Sequence, residues 1–535
     1  MNPGNDLLIL FDFLMDLTKI IQTHFSNAQL YWILLSMLSG LISILLFTRK
    51  QPVYSLFFLF LAGLILRLLA ASLDPFLWTW DEQYHALVAK NMLHNPFKPV
   101  LISNPVLDYD FREWKNNYIW LHKQPWFLWQ IAFFFRLFEV NEFYLRLPSV
   151  LMMSLLILVI FRIGQRISTP SIAWYGAFIY TFSCFFIDFV SGVQHTDHND
   201  SAFIFYVTLS IWAWIEYTGS KKRKWLFWIG LFAGIAIMNK WIVGLLVYSG
   251  WFMTVFLAPG KKERFQELKK MGISLLVTLL IALPWQIFIL FAYPRETRFE
   301  FLYNAGHFFT ALEGHSGNRW YYPELLSAQF GGLLILFIIL PGLILLFKSI
   351  RNRSYQTAIA SYIIITYLFF TLAATKMPMF CNIVFTFLFL ALGAFLDKCI
   401  ERIREYFPSR FFSGLIVGFL CVLAYLNLNI NRIDEEHSVK NGYWKKMQIN
   451  AIIDKQIAKK IPSSDYLVFN GGKHNATMLM FYGPDVAYND YPTLQQFEML
   501  KKAGIKMAVL TGDSLPGFLR KEAQILKIHI NPIPY

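Results

Sequence analysis

The amino-acid sequence predicts an all-α polytopic membrane domain with about 12 transmembrane helices, followed by a small C-terminal α/β domain. Hydrophobic residues make up 56% of the 535 residues, charged residues only 15%, and the mean hydropathy is +0.44. Soluble domains carry about 25% charged residues. The apolar residues also fall into repeated runs of about 17 to 25, long enough to cross the hydrocarbon core as helices. These observations exclude a large soluble enzyme.

The N-terminal segment, residues 1–27, is predicted to lie in the membrane interface. Residues 7–21 are apolar, but Asp12, Asp16 and Lys19 interrupt them, and no small-residue cleavage site follows. A cleavable signal peptide needs an unbroken apolar region and such a site. An interfacial helix therefore explains the segment better.

The membrane domain is predicted to occupy residues 28–428. Its candidate spans are apolar stretches separated by short polar loops. They lie near residues 28–47, 53–73, 145–165, 171–191, 201–217, 225–239, 241–258, 271–291, 325–347, 356–375, 379–396 and 411–428.

The orientation is predicted from the loops that hold Lys and Arg, since such loops stay cytoplasmic. Alternate loops contain Arg49 and Lys50, then residues 221–224, and then residues 261–270, all rich in Lys and Arg. This topology accounts for the net charge of +14, so no nucleic-acid partner is predicted. We expect a multi-pass protein of the cell (inner or plasma) membrane, with the intervening loops and the C-terminal domain extracytoplasmic.

The tail, residues 429–535, contains apolar runs too short to span a membrane. Residues 464–472, 485–490 and 505–512 have the composition of short strands, and residues 494–503 that of a helix between them. Alternating strands and helices predict a small parallel sheet. The pair Gly471-Gly472 is too little to predict a phosphate-binding loop.

Two adjacent carboxylates, Asp81 and Glu82, follow the second predicted span. Charged groups at a membrane boundary are costly and often functional, although acids at a solvated helix N-terminus are also common. Residues 86–93 continue with helical spacing, and residues 126–138 form a second apolar segment too short to span. Two interfacial helices beneath an acidic pair would form a cleft open to both lipid and water.

These residues resemble the first outer loop of the lipid-dependent GT-C glycosyltransferases, the superfamily of the protein O-mannosyltransferases and the lipid A aminoarabinose transferases. Further matching motifs follow in the same order over roughly residues 60–390. They are Lys123 to Trp126 (KQPW), Phe138 to Pro148 (FEVNEFYLRLP), Gly230 to Lys240 (GLFAGIAIMNK), Leu283 to Trp285 (LPW), Trp320 to Pro323 (WYYP) and Lys376 to Pro378 (KMP).

The resemblance implies inverting transfer of a sugar from a polyprenyl-phosphate carrier to an acceptor. Asp81 is then the expected general base, with Glu82 beside it at the catalytic centre as a positioning neighbour. A carboxylate within hydrogen-bond reach can take the proton of an attacking hydroxyl, and cations stabilise the departing phosphate. Lysines at outer-facing turns are the expected phosphate ligands: Lys123, Lys240 and Lys376. For Lys240, simple snorkelling at a helix end is the alternative.

The sequence departs from the family pattern at two places. Relatives often place Arg-Tyr where this chain has Tyr84 and His85, so we expect Tyr84 and His85 to contact substrate, with His85 replacing a phosphate contact. Phe380 stands where a tyrosine often follows the Lys-x-Pro turn, which removes any contact made by that hydroxyl.

The second outer loop, residues 194–200, is rich in potential ligands. Asp200 aligns best with a second catalytic aspartate of the family, and Asp197 is the other candidate for substrate contact. His195, Asp197 and His198 could instead hold a divalent metal ion. Their spacing matches no closed zinc motif, so we expect that no cofactor is required and keep the metal as the alternative.

The third outer loop, residues 292–324, also resembles its counterpart in the family. The residues expected to contact phosphate or sugar there are Arg298, His307, Arg319 and Tyr321. The alternative is a solvated loop or a lid over the cleft.

The predicted activity is transfer of the sugar to a lipid A, glycolipid, polysaccharide or protein hydroxyl acceptor on the outer face. A polyprenyl-linked sugar flippase or a polysaccharide transporter is the alternative. Transporters, however, place polar residues inside spans and show internal repeats, whereas the polar clusters here lie in loops. A simple membrane anchor for the C-terminal domain would not need so many spans.

Overall fold

The computed structural model describes residues 25–193, 197–406, 409–470, 475–511 and 515–529. The predicted interfacial segment, His195 and Gly471-Gly472 therefore lie outside the described residues, except for residues 25–27.

The first two helices of the membrane domain begin at a capping residue and at a proline. Ser26 caps the first helix with a capping box, and Pro52 opens the second. The helices of the first half of this domain are α1 (Asn27–Thr48), α2 (Pro52–Ser72), α3 (Asp81–Asn91), α4 (Trp126–Leu137), α5 (Glu142–Ile167), α6 (Pro170–Thr181), α7 (Cys184–Asp188), α8 (Asp197–Ser220), α9 (Lys224–Lys240) and α10 (Leu246–Val255).

The second half continues the bundle and connects it to the C-terminal domain. Its helices are α11 (Lys261–Ala292), α12 (Pro294–Phe309), α13 (Tyr321–Phe330), α14 (Leu334–Ser349), α15 (Arg353–Leu372), α16 (Phe385–Arg404), α17 (Ser409–Leu428) and α18 (Ile430–Glu436).

Within the described parts of the chain, eight helical stretches are long and apolar enough to cross a membrane, or nine if α13 and α14, bent by 97° at their junction, form one span. The chain is therefore a multi-span membrane protein. The count of about 12 is not confirmed by this measure. One predicted span, 171–191, is divided between α6 and α7.

The predicted turn at Lys240 also contributes to the difference between the predicted count of about 12 spans and the eight or nine apolar stretches. Residues 224–255 count as one apolar stretch by length, yet the chain folds back between α9 and α10. The Tyr248 hydroxyl of α10 lies 2.7 Å from the Thr278 hydroxyl of α11. Thr278 Oγ1 in turn donates to the Gly230 carbonyl near the start of α9. Tyr248 of α10 therefore lies close to Gly230 of α9 on the same face of α11.

Small residues bring some helices of the bundle into backbone contact. A Cβ atom on Gly393 of α16 would lie 2.6 Å from the backbone nitrogen of Gly176 on α6. In lipid, such close approach replaces the hydrophobic driving force for helix association. Gly393 and Gly176 therefore let α16 and α6 pack with their backbones in close contact.

The C-terminal domain confirms the predicted small parallel sheet. Its strands lie in the order β2-β1-β3-β4, and all three neighbouring pairs are parallel. Its elements are α19 (Gly442–Lys460), β1 (Leu467–Phe469), α20 (Ala476–Tyr482), β2 (Val486–Tyr488), α21 (Leu494–Lys502), β3 (Met507–Thr511), α22 (Gly517–Lys521) and β4 (Leu526–His529). The edge strand β4 was not predicted because its short LKIH segment is largely exposed and carries two polar side chains.

A buried charge cluster fixes the C-terminal domain to the membrane domain. His437 places Nδ1 2.8 Å from Asp74 Oδ2 and Nε2 3.2 Å from Asp188 Oδ1. Asp74 also accepts hydrogen bonds from the indole nitrogens of Trp78 and Trp444. The cluster lies just before α3, so it holds the C-terminal domain against the helix that carries Asp81 and Glu82.

Candidate functional site

The acidic pair lies at the first turn of α3. The preceding residue, Trp80, has φ 69°, a conformation that costs a non-glycine residue roughly 1–3 kcal/mol. The chain turns at Trp80, and α3 begins at the next residue, Asp81. The two adjacent carboxylates then point to different environments.

Glu82 is buried in an ion pair with Arg146 of α5. Arg146 Nε donates to Glu82 Oε1 at 2.8 Å and Nη2 donates to Oε2 at 3.0 Å. The Trp78 amide donates to Oε2 at 2.6 Å, and His198 Nε2 lies 3.3 Å from Oε1. Burial alone would raise the pKa of Glu82, but the Arg146 charge and the hydrogen bonds with His198 and Arg146 lower it. Glu82 therefore stays ionised and fixes the start of α3 against α5 and α8.

Asp81 faces Lys123 of the same loop. Lys123 Nζ lies 3.8 Å from Asp81 Oδ2, and the two side chains are 17% and 13% exposed. Burial would lower the pKa of Lys123, but Asp81 and the more distant Glu313, Asp200 and Glu300 raise it. Lys123 is therefore a cation beside a partly accessible carboxylate, and the structure brings these two predicted residues together.

A cavity of about 840 Å³ lies on the Lys123 side of this pair. Its polar residues include Lys123, Asp200, Lys240 and His307, which were predicted from sequence. Most of the remaining wall is apolar, contributed by Phe203, Ile237, Trp241, Ile242, Val243, Phe301, Phe308, Phe369, Phe370, Met377, Met379, Phe380 and Ile383. Ile242 is 72% exposed, so the apolar side opens at the surface of the bundle. The cavity suits a ligand with one anionic end and one apolar end.

Asp200 and Lys240 form a second ion pair in this cavity. Lys240 Nζ contacts Asp200 Oδ1 and lies 5.0 Å from the centre of the Phe380 ring. Asp200 is buried, and its Oδ2 has no hydrogen-bond partner among the described residues. Lys240 ends α9 and points back toward α8, so simple snorkelling does not describe it. Phe380, in place of the usual tyrosine, offers its ring face to the ammonium.

Two histidines border the same region. His122 stacks on Trp114 with 4.6 Å between ring centres, and its Nδ1 lies 3.4 Å from Glu300 Oε2. His307 Nδ1 lies 3.0 Å from Thr375 Oγ1. Burial lowers the pKa of His307 to about 4, so it is neutral near pH 7. It can offer a hydrogen bond to a phosphate but no charge.

Some predicted contacts are not formed. Lys376 donates to the carbonyls of Phe370, Thr371 and Ala373, because its ammonium caps the carboxyl end of α15. The expected phosphate contact of Lys376 is therefore corrected to a helix cap. Arg298 and Arg319 are exposed, and neither they nor Tyr321 line the cavity.

Tyr84 and His85, which stand where relatives often place Arg-Tyr, do not line the cavity. His85 is fully buried and packs against Phe127, with 4.7 Å between the rings. Burial lowers its pKa well below the usual value, so His85 is neutral and the expectation that it replaces a phosphate contact is wrong. Tyr84 lies on the side of α3 that faces the C-terminal domain, where it packs against Trp114 and lines another pocket.

The proposed metal ligands are only partly described. His195 and the side chain of Asp197 lie outside the described residues. His198 is buried, with Nδ1 3.1 Å from Ser149 Oγ and Nε2 close to Glu82. Across the residues that the structure does describe, no three His, Cys, Asp or Glu side chains group as a metal site would require.

Sequence reasoning missed several residues of the site. Arg146 was part of a recognised motif but received no role, and only the structure reveals its partner Glu82. Gln286 and Asn239 line the cavity, and Gln286 Nε2 donates to Gln124 Oε1 at 2.7 Å. Gln286 and Asn239 are single amides within apolar helices and form no motif with their neighbours. Their position was the available indication, because polar groups within such helices are costly.

Part of the chain matches a known protein family in sequence. A family model described as dolichyl-phosphate-mannose-protein mannosyltransferase matches residues 122–288, which include Lys123, Asp200 and Lys240. The chain is similar to the undecaprenyl phosphate-alpha-4-amino-4-deoxy-L-arabinose arabinosyl transferase of Pseudomonas paraeruginosa, with 25% identity over 332 residues, 58% of this chain and 56% of the relative. The enzyme of the same name from Serratia proteamaculans is 25% identical over 231 residues, 42% of this chain and 40% of the relative. The matches thus span about half the length of these relatives.

The solved structures extend the similarity to most of the chain. ArnT from Cupriavidus metallidurans bound to undecaprenyl phosphate has a TM-score of 0.60 and 16% sequence identity, covering 85% of this chain and 86% of that chain. Its apo state gives a TM-score of 0.56. These findings confirm the resemblance to the GT-C glycosyltransferases and show an ArnT-like fold.

Proposed function

We propose that the chain is an inverting glycosyltransferase that moves a sugar from a polyprenyl-phosphate carrier to an acceptor hydroxyl. The observation that carries the proposal is the Asp81–Lys123 pair at 3.8 Å beside a cavity with a cationic end and an apolar wall. Two relatives are named as undecaprenyl phosphate-alpha-4-amino-4-deoxy-L-arabinose arabinosyl transferases. These names support the same class of donor.

The cavity accounts for donor binding. The carrier phosphate would lie between Lys123 and Lys240, whose charges would stabilise it both in the bound donor and as the leaving group. The polyprenyl chain would follow the apolar wall past Phe369 and Phe380 to the lipid. Asp200 holds the Lys240 ammonium in place, and His307 supplies a neutral hydrogen-bonding group.

In the transfer step, Asp81 accepts the proton of the acceptor hydroxyl. The acceptor oxygen attacks the anomeric carbon from the face opposite the phosphate, and its O–H proton passes to Asp81. The new C–O bond forms as the carbon–phosphate oxygen bond breaks, and its electron pair leaves with the phosphate. Attack from the opposite face inverts the anomeric configuration. Glu82 takes no proton; it positions the first turn of α3 through Arg146.

We further propose that the site lies on the extracytoplasmic face. Support comes from the positive-inside rule, since the loops rich in Lys and Arg leave the opposite ends of the helices from those that carry Asp81 and Asp200. The proposed division is an N-terminal interfacial segment (1–27), a membrane domain of about 12 spans (28–428) and an extracytoplasmic domain (429–535). The end of α17 at Leu428 supports the last boundary.

The test uses purified protein in detergent with a panel of polyprenyl-phosphate sugars and a membrane extract as acceptor. Product is followed by transfer of labelled sugar, and the anomeric configuration is read by nuclear magnetic resonance. The proposal expects one donor to give an inverted product with release of polyprenyl phosphate. A retained configuration would refute the inverting mechanism, and binding of the carrier without transfer of its sugar from any donor would favour the flippase alternative.

A further inference from the structure

We propose that a second pocket, between the first loop and the C-terminal domain, binds a saccharide segment of the acceptor. The pocket has a volume of about 510 Å³. One wall comes from residues that flank Asp81, including Thr79, Trp80 and Tyr84, and the other comes from α19 and α20. The identification of its ligand as the acceptor rests on the proposed transfer function.

Asp81 lies close to residues that line each of the two cavities. Through Lys123 it borders the cavity proposed for the donor. Its chain neighbours Thr79 and Trp80 line the second pocket, as does Tyr84, one turn further along α3. A hydroxyl held in the second pocket could therefore approach the anomeric carbon past the carboxylate that takes its proton. The donor and acceptor would enter from opposite sides of the start of α3.

Amide side chains give the pocket paired donors and acceptors. Gln83 is fully buried, and its Oε1 accepts a hydrogen bond from Asn475 Nδ2 at 2.7 Å. Its Nε2 has no hydrogen-bond partner among the described residues, and a buried donor left unpaired costs about 1–3 kcal/mol. Asn450 of α19 adds another amide to the lining. Hydroxyl groups of a sugar both donate and accept, so they match such amides.

Aromatic rings supply the other feature of a saccharide site. The Trp80 side chain is 50% exposed and that of Tyr443 is 42% exposed, although both line the pocket. The Tyr443 hydroxyl hydrogen-bonds with that of Thr79, and its ring stacks on Trp78. Ring faces carry a negative quadrupole, which attracts the weakly positive C–H groups on the face of a sugar.

The charges in the pocket favour an acidic saccharide. Lys115 lies with Nζ 4.4 Å from the centre of the Trp80 ring, and Lys446 of α19 also lines the pocket. The described lining contains no Asp or Glu. A uronic acid or phosphorylated sugar would therefore gain more than a neutral or basic one. In this view the C-terminal domain recognises the acceptor.

Direct titration of the full-length protein in detergent tests the pocket without requiring transfer. The probes are a galacturonic acid oligosaccharide, a neutral malto-oligosaccharide and a hexaglutamate peptide, each followed by calorimetry. Lys446→Ala and Asn450→Ala remove lining side chains. Lys445→Ala and Gln448→Ala are matched controls, because these residues lie on the same helix outside the lining. Binding of undecaprenyl phosphate is measured on every sample.

The proposal expects the acidic oligosaccharide to bind most tightly and each lining variant to weaken it at least tenfold, with the controls near wild type. Carrier binding should persist in all variants. Absence of saccharide binding, tighter binding of the peptide, or equal losses in the controls would overturn the proposal. Failure of the proposed donor function would appear separately, as a wild-type protein that does not bind the carrier.

Discussion

Arg146 donates two hydrogen bonds to Glu82, at 2.8 and 3.0 Å, and both side chains are buried. This pair joins α5 to the first turn of α3, and it explains why two adjacent carboxylates have different roles. Glu82 stays ionised and its charge is balanced by Arg146, whereas Asp81 stays partly accessible and faces Lys123. The site therefore depends on a structural ion pair next to the proposed reacting group.

Breaking this pair should destabilise the protein. Arg146→Met leaves Glu82 buried without its cation, which costs roughly 3–5 kcal/mol, so we expect a lower thermal midpoint in detergent. The double variant Glu82→Gln with Arg146→Met should recover part of the loss. Arg402→Ala is the control, because its contact with Glu405 is exposed and worth about 0–1 kcal/mol. Equal midpoints for Arg146→Met and Arg402→Ala would contradict this role.

The sequence predicted the fold better than the site. Apolar runs and basic loops were sufficient for a multi-span domain, and short strands were sufficient for the parallel sheet. The motifs also predicted Lys123 and Lys240 as phosphate ligands and Asp200 as a second catalytic acid, and the structure places these three residues around one cavity.

Residue roles that depend on side-chain direction could not be predicted. Lys376 lies in a family motif, but its ammonium turns back onto the end of α15. The spacing of the residues around His85 predicted a helix but did not predict that His85 is buried. Arg146 and Glu82 are 64 residues apart, and one sequence alone carries no signal that pairs them.

Lys123 and Lys240 should both contribute to carrier binding. Lys123→Gln or Lys240→Gln removes a charge-assisted hydrogen bond worth roughly 1.5–3 kcal/mol, so the Kd for undecaprenyl phosphate should rise about 10- to 100-fold. Titration calorimetry in detergent measures this Kd. Lys98→Gln is the matched control, since Lys98 belongs to the same loop but is absent from the cavity lining. A loss as large in Lys98→Gln would show a general charge effect instead.

Asp200 should act through Lys240 and not as the base. Asp200→Asn keeps the shape of the side chain but removes the charge that holds the ammonium. We expect a raised KM for the donor and a loss of kcat of only about tenfold, whereas removing a general base typically costs about 100- to 10,000-fold. Steady-state kinetics with varied donor separates the two. A loss of kcat beyond about 100-fold with unchanged KM would move the base to Asp200.

Docking of the C-terminal domain should depend on pH through His437. Burial would lower the pKa of His437, but Asp74 and Asp188 raise it to about 10. Because the folded pKa lies above the unfolded value of about 6.5, the stabilisation is complete below pH 6.5 and is lost as pH rises toward 10. Limited proteolysis between pH 6 and pH 10 should release the domain faster at high pH. His437→Gln should remove most of this dependence; an unchanged profile would exclude His437 as its source.

In the proposed mechanism, Asp81 takes the proton of the acceptor hydroxyl. The most direct measurement compares kcat for sugar transfer by wild type, Asp81→Asn and Asp110→Asn, with carrier binding measured on the same samples. Asp110 is an exposed acid of the same loop, paired with Arg112. We predict that Asp81→Asn lowers kcat at least 100-fold while still binding undecaprenyl phosphate, and that Asp110→Asn behaves as wild type. Full activity of Asp81→Asn would show that Asp81 is not the general base.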